Sequence, residues 1–152
     1  LYIKEILLTE KLDECWDLVE AHRQELATYQ DHMILKPDRA RYKHLEETGC
    51  LRTLALYDEE DKMVGYSAVV FSQSLHYSDL PIAQNDVIYV RKDLRKGRWG
   101  LKLIEATEQM CKDLFNGRPF MMLWHAKEDT AFASIMPKLD YSVQDILFSK
   151  IL

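Results

Sequence analysis

Arg95, Lys96 and Arg98 place three cations within four positions, and Gly97 and Gly100 leave the same stretch without side chains at two points. Cations and glycines so spaced suit the binding of an anion. From Arg98 the chain becomes periodic, with Leu103, Ala106, Met110 and Leu114 on one stripe and Ile104 and Cys111 beside it, which predicts a helix packed on a sheet. Its first amide N–H groups would lack intrahelical partners and carry the positive end of the helix dipole. Main chain without Cβ atoms lets a phosphate come close, so the expected anion is a pyrophosphate. No Gly-Lys-Ser or Gly-Lys-Thr occurs in the chain, and Gly97 and Gly100 are the only glycines of the segment. Neither the Walker pattern nor the G-x-G-x-x-G fingerprint is therefore met.

The elements that must position this turn follow from period and punctuation. Asp86-Val87-Ile88-Tyr89-Val90 is a short β run directly before it. Upstream, Tyr2 to Leu7 alternates as a first strand, and Thr9-Glu10 offers an N-cap and an acidic first turn. Leu12, Cys15, Trp16, Val19 and Leu26 carry a helix through Leu26. Pro37 suits the first turn of a second helix that reaches about Thr48, with Gly49 as its C-cap. Leu51 to Tyr57 and Lys62 to Ser72 form a hairpin around the acidic turn Asp58-Glu59-Glu60-Asp61. Gln73 to Gln84 has no period but holds Leu75, His76, Tyr77, Asp79, Leu80 and Pro81. It reads as a wall on the substrate side, a dimer contact, or a loop packed by its own side chains. After the long helix, Asn116-Gly117 and Pro119 end it, and Phe120 to Trp124 is an apolar strand of the central kind. Asp129 or Thr130 caps a short helix through Phe132, Ile135 and Met136, and Val143 to Leu147, extended to Ile151, supplies the last β segment or pair. The sum is an α/β (α+β) domain spanning 1–152, a mixed sheet with helices on both faces.

Composition narrows the function classes. A chain of 152 residues, 47% hydrophobic and 30% charged, can bury a core without disulfides or metal. Cys15, Cys50 and Cys111 are widely spaced in apolar segments and read as buried free thiols. His22, His32, His44, His76 and His125 are scattered, and no CxxC exists, so no metal is expected. Net charge is −5 with a pI near 5.5, which disfavours nucleic acid and anionic membrane and tilts toward a cationic amine. No apolar run spans a membrane and Leu1-Tyr2-Ile3-Lys4-Glu5 has no signal pattern, so the expected location is cytoplasmic.

The segment around Arg95 resembles the acetyl-CoA site of the GNAT superfamily of N-acetyltransferases, whose pattern Q/R-x-x-G-x-G/A follows a strand. Arg95, Arg98 and Gly100 fall on its positions, with Arg98 where the family has its middle glycine and Gly97 one residue earlier. Met63-Val64-Gly65-Tyr66 is similar to the family's third strand, and Leu139-Asp140-Tyr141 to its Leu-Gly-Phe signature with Asp for Gly. The compact form also resembles uncharacterised phage-type members. The resemblance implies a mostly antiparallel sheet of about six or seven strands whose central strands, Asp86 to Val90 and Phe120 to Trp124, splay apart. It implies acetyl-CoA as cofactor, with CoA as product. The pantetheine would pair with main chain at Ile88 and Val90, on either side of Tyr89, and the pyrophosphate would sit on Arg95, Lys96, Gly97, Arg98, Trp99, Gly100 and Leu101.

By the same resemblance, the start of the Asp86 strand faces the acceptor. Asp86 is then the leading base for the amine and His125 the second, each with an ordinary strand-end reading beside it. Asp31 and His32, with Met33, border the acceptor pocket by position, and His76 and Tyr77 come from the aperiodic loop. The family's tyrosine acid falls on Met136, followed by Pro137, and Asp129 stands where Asn is usual. Tyr141, Tyr89 or water would have to protonate the leaving thiolate. The expected activity is direct acetyl transfer to a primary amine in a ternary complex, on a small molecule first and a protein amino group second. A homodimer is compatible with it. The alternative is a catalytically impaired domain that binds CoA or a protein partner.

Overall fold

Leu54 and Leu56 turn to one side of their strand and Ala55 and Tyr57 to the other, and all four are buried. A strand that is apolar on both faces needs cover on both faces. That strand is β2 (Leu51–Tyr57) in the computed structural model, which describes residues 1–152. It lies between β1 (Tyr2–Ile6) and β3 (Met63–Gln73), and β4 (Pro81–Val90) and β5 (Met121–Leu123) complete a five-stranded sheet in the order β1-β2-β3-β4-β5. The first four strands are antiparallel; β5 runs parallel to β4, so a crossover must join them. Helix α4 (Trp99–Phe115) is that crossover.

Each face has its own core. On one, Leu8 of α1 (Leu8–Lys11), Leu12, Cys15 and Leu18 of α2 (Trp16–Leu26) pack on Ala55, Tyr57, Met63, Tyr66 and Tyr89, with Tyr42 of α3 (Arg39–Glu47) at the margin. On the other, Leu103, Met110 and Cys111 of α4 pack on Leu54, Leu56, Val64, Val69, Ala83 and Val90. Gly65 is fixed by this arrangement: a Cβ there would stand 2.9 Å from the Tyr89 carbonyl oxygen. The short α5 (Ala131–Ile135) is capped by Thr130, whose hydroxyl accepts from the Ala133 N–H, and tightens into a 3-10 turn at Met136–Leu139, where Pro137 cannot continue an α-helix.

Several boundaries differ from the sequence reading. The first helix is two, because the chain turns at Cys15 (φ −104°, ψ 15°) so that Leu12 and Cys15 both reach the core. Thr9 is not an N-cap; its hydroxyl donates to Glu46 of α3 at 2.5 Å, and the same carboxylate accepts the Thr9 N–H at 3.3 Å. The aperiodic connection is shorter than Gln73 to Gln84, because β4 begins at Pro81. Six or seven strands were expected and five form: residues 141–152 make no strand. Ile146, Leu147 and Phe148 are contiguous, not alternating, and the three-residue β5 is a short template. Tyr29 holds the tail by donating its hydroxyl to the Ser149 carbonyl at 2.8 Å. Asp140 takes the left-handed conformation (φ 64°) that its glycine counterpart would adopt freely and that Asp tolerates.

Candidate functional site

The centre of the site is a β-bulge. In the β3–β4 ladder Ala68 faces Val87 and Val69 faces Asn85, so Asp86 is the extra residue. The bulge exchanges the faces of β4. Ala83 packs under α4, whereas Val87 and Tyr89, which would share its face in a regular strand, pack on the α2 side. β4 also leaves β5 here: their pairing runs from Ile82–Met121 to Gln84–Leu123 and stops. Beyond it the outer edge of β4 has no neighbouring strand.

Which main-chain groups that edge offers follows from the ladder. The Arg91 N–H donates to the Val64 carbonyl at 2.8 Å, making these two a hydrogen-bonded pair. Alternation then turns the polar groups of Tyr89 and Val87 toward β3 and those of Ile88 and Val90 outward into the gap. Ile88 and Val90 are thus the residues that an extended amide ligand would meet, and Tyr89 is not.

The basic turn follows a 3-10 turn at Lys92–Leu94 and leads into α4. Arg98 stands at the N-cap without a side-chain cap bond, and the Lys102 N–H, bonded to the Arg98 carbonyl at 2.9 Å, is the first satisfied inside the helix. The N–H groups of Trp99, Gly100 and Leu101 precede it without helical partners. Neither Gly97 nor Gly100 has a positive φ, and a Cβ on Gly100 would meet nothing within 4 Å. The protein's own conformation and packing therefore do not require glycine at 100. Lys96 and Arg98 are exposed, and Lys102 lies over the Trp99 ring at 4.1 Å.

Arg95 is placed differently from the other cations. Its Nη atoms grip Glu25 of α2 at 2.5 and 2.9 Å, its Nε donates to the outward Val90 carbonyl at 2.6 Å, and its guanidinium lies 4.9 Å from the Tyr89 ring centre. Tyr89 donates its hydroxyl to the same Glu25 and stacks on His22, whose Nδ1 lies 2.6 Å from the Tyr66 hydroxyl. Burial pushes His22 down to about 4, so it is neutral. The Arg95 guanidinium and its hydrogen bonds hold the Glu25 carboxyl below the usual range. Neither Glu25 nor His22 was singled out by sequence reasoning. Only their i, i+3 spacing on one helix could have marked them as neighbours.

At the lower end of the gap Asp86 is open to solvent yet set among crowding neighbours, and that desolvation raises its pKa while nearby His125 lowers it. The fold thus brings Asp86 and His125 within electrostatic reach, across the point where β4 and β5 separate. Half-buried Tyr42 of α3 has its pKa raised by burial first and then by the negative charge of the same carboxylate. Lys127 donates to the Thr28 hydroxyl at 2.7 Å, so the chain after His125 adjoins the segment that leads to Asp31 and His32, both exposed. His76 and Tyr77 belong to the connection between β3 and β4: their N–H groups donate to the Ser74 hydroxyl, and with Ser78, Asp79 and Leu80 they line a crease within their own loop.

Both tyrosines considered for thiolate protonation are engaged. Met136 is buried, Tyr89 points to Glu25, and Tyr141 donates to Glu108 of α4 at 2.8 Å, with burial raising its pKa. Asp129 adopts a left-handed turn (φ 58°) before the Thr130 cap.

No protein-family profile matches this chain, and no curated protein sequence does either. Solved structures do. A ribosomal-protein-alanine N-acetyltransferase from Brucella melitensis biovar Abortus 2308 is 17% identical, with TM-score 0.66 over 100% of this chain and 99% of its own. An aminoglycoside acetyltransferase from an uncultured soil metagenomic sample, in complex with sisomicin, is 18% identical, with TM-score 0.72 over 99% and 95%. An acetyltransferase from Trypanosoma brucei is 12% identical, with TM-score 0.69 over 99% and 100%. At such identities the likeness is one of fold, and the fold of this chain is that of the GNAT acetyltransferases.

Proposed function

We propose that this chain is an acetyl-CoA-dependent N-acetyltransferase that acts on a primary amine, small amines before protein amino groups. The observation that carries the reading is the divergence of β4 from β5 just beyond Gln84 and Leu123, with bulged Asp86 at its lower end and the uncapped start of α4 beyond its upper end. Acetyl-CoA would supply an activated thioester carbonyl. The outward groups of Ile88 and the N–H of Val90 suit its amide-bearing arm, and the N–H groups of Trp99, Gly100 and Leu101 with Lys96 and Arg98 suit its pyrophosphate.

The proton work falls to Asp86. An amine must be neutral to attack, and a carboxylate whose pKa is raised by its surroundings can take the ammonium proton directly or through one water. His125 beside it favours the ionised carboxylate. An outward Ile88 N–H can donate to an oxygen that gains charge at the reacting carbonyl. With Met136 unable to donate and Tyr89 and Tyr141 committed to carboxylates, solvent is left to protonate the departing thiolate.

Those same engaged tyrosines favour a second reading, a domain that binds CoA with little turnover. Calorimetric titration with acetyl-CoA, CoA and NAD, followed by thiol release in the presence of polyamines, amino acids and peptides, separates the two. Micromolar binding with thiol release supports transfer, binding without release supports the second reading, and no binding to either thiol cofactor removes both.

A further inference from the structure

We infer that Glu25 is a positioning residue for the cofactor loop: from the last turn of α2 it fixes Arg95 across the upper end of the gap. This rests on the proposed acetyl-CoA site. The basic turn runs from the end of β4 to the start of α4, while Glu25 sits on α2, which packs on the opposite face of the sheet. One carboxylate gathers the Arg95 fork at 2.5 and 2.9 Å, the Tyr89 hydroxyl at 3.3 Å and Lys92 Nζ at 3.8 Å.

The fork geometry makes this more than a surface ion pair. A guanidinium held bidentately cannot rotate, and a third bond, Nε to the Val90 carbonyl at 2.6 Å, locks it to the strand. The Tyr89 ring supports the guanidinium from one side, and His22 in turn supports Tyr89 at 4.7 Å between ring centres. Three of the five guanidinium N–H groups are used. Two remain on a side chain that is 38% exposed, already oriented, so an anion meeting them would not have to order a flexible arginine. Lys96 and Arg98, by contrast, have no ion-pair partner and must be ordered by the ligand itself.

The test compares Glu25→Gln, Arg95→Gln and the double variant with the wild type. Two quantities are measured: acetyl-CoA affinity by calorimetry, and amide hydrogen exchange at Leu94, Arg95, Gly97 and Lys102, the bonded amides of the loop. Glu25→Gln is expected to weaken acetyl-CoA binding about tenfold and to speed exchange at these amides by a similar factor. Arg95→Gln should do the same, and the double variant should be no worse than either single one. Arg95→Lys, which keeps the charge without the fork, serves as the second variant should Glu25→Gln not fold, with the same faster exchange expected. Unchanged or tighter acetyl-CoA binding in a folded Glu25→Gln, or unchanged exchange, overturns the inference. A wild type that binds no acetyl-CoA instead removes the proposed function, and the exchange comparison still decides whether Glu25 holds the loop.

Discussion

Replacing Gly100 with alanine separates what the fold needs at the start of α4 from what a ligand needs. A Cβ at 100 meets nothing within 4 Å and φ there is not positive, so the change adds no clash and no strain. Alanine is the better helix former by up to about 1 kcal/mol in a helix interior, and part of that survives in the first turn. In a chain of this size the gain corresponds to a rise in Tm of about 1 to 3 °C. The effect on binding should run the other way. A methyl group beside the Trp99, Gly100 and Leu101 N–H groups holds a phosphate off at least one of them, and a hydrogen bond to a charged group is worth about 1.5–3 kcal/mol. Acetyl-CoA affinity should therefore fall roughly ten- to a hundredfold. Thermal melts and calorimetric titration on the same preparations give both numbers. A variant as stable as the wild type that binds acetyl-CoA unchanged would refute the placement of the pyrophosphate.

Three further outcomes follow from side chains described above. Asp86→Asn should lower kcat/KM on an amine about a hundredfold or more and abolish the acidic limb of its pH profile, because the wild-type carboxyl loses its role as pH falls through its raised pKa; a limb that persists would pass the role to His125. Its Tm should not drop, since burial disfavours the charge that asparagine lacks. His22 titrates at about 4 in the fold against 6.5 unfolded, so the stability tied to its neutral form is complete above pH 6.5 and is lost as pH falls toward 4, by up to about 3 kcal/mol; urea unfolding at several pH values should show this slope in the wild type and less of it in His22→Gln. Met136→Tyr should not raise kcat and should cost about 1–3 kcal/mol, because the methionine is buried in a tight 3-10 turn; a faster enzyme of equal stability would contradict that packing.

Much of the scaffold was legible because it repeats. The period of Leu103, Met110 and Cys111 gave α4, and the strand, basic turn and helix around Arg95 were read in order and lie in that order. The resemblance implied that the strands holding Asp86 and Phe120 splay, and β4 and β5 do. What stayed hidden depends on distance in the chain. Nothing near Thr9 says that Glu46 will take its hydroxyl, and nothing near Arg95 says that Glu25, seventy positions earlier, will take its charge. A β-bulge has no local signature either, since Asp86 becomes the extra residue only against the register of β3. The C-terminal residues misled for a different reason: Val143 to Ile151 is β-prone in composition, but the edge strand β5 is only three residues long and the tail pairs with no strand.

The exchange of faces at Asp86 works like a shift of reading frame. On either side of it β4 is pinned to a core, Ala83 beneath α4 and Tyr89 beneath α2, and without the extra residue Asn85 and Val87 would alternate regularly opposite Val69 and Ala68, each half keeping its present face. Neither core holds residue 86: its side chain is exposed and it has no partner in the register of β3. A scaffold of this kind can change its chemistry by substitution at one address, or lose that address by deletion, without turning either half of the strand over. Exchange of the side chain and removal of the residue are then both routes the architecture leaves open.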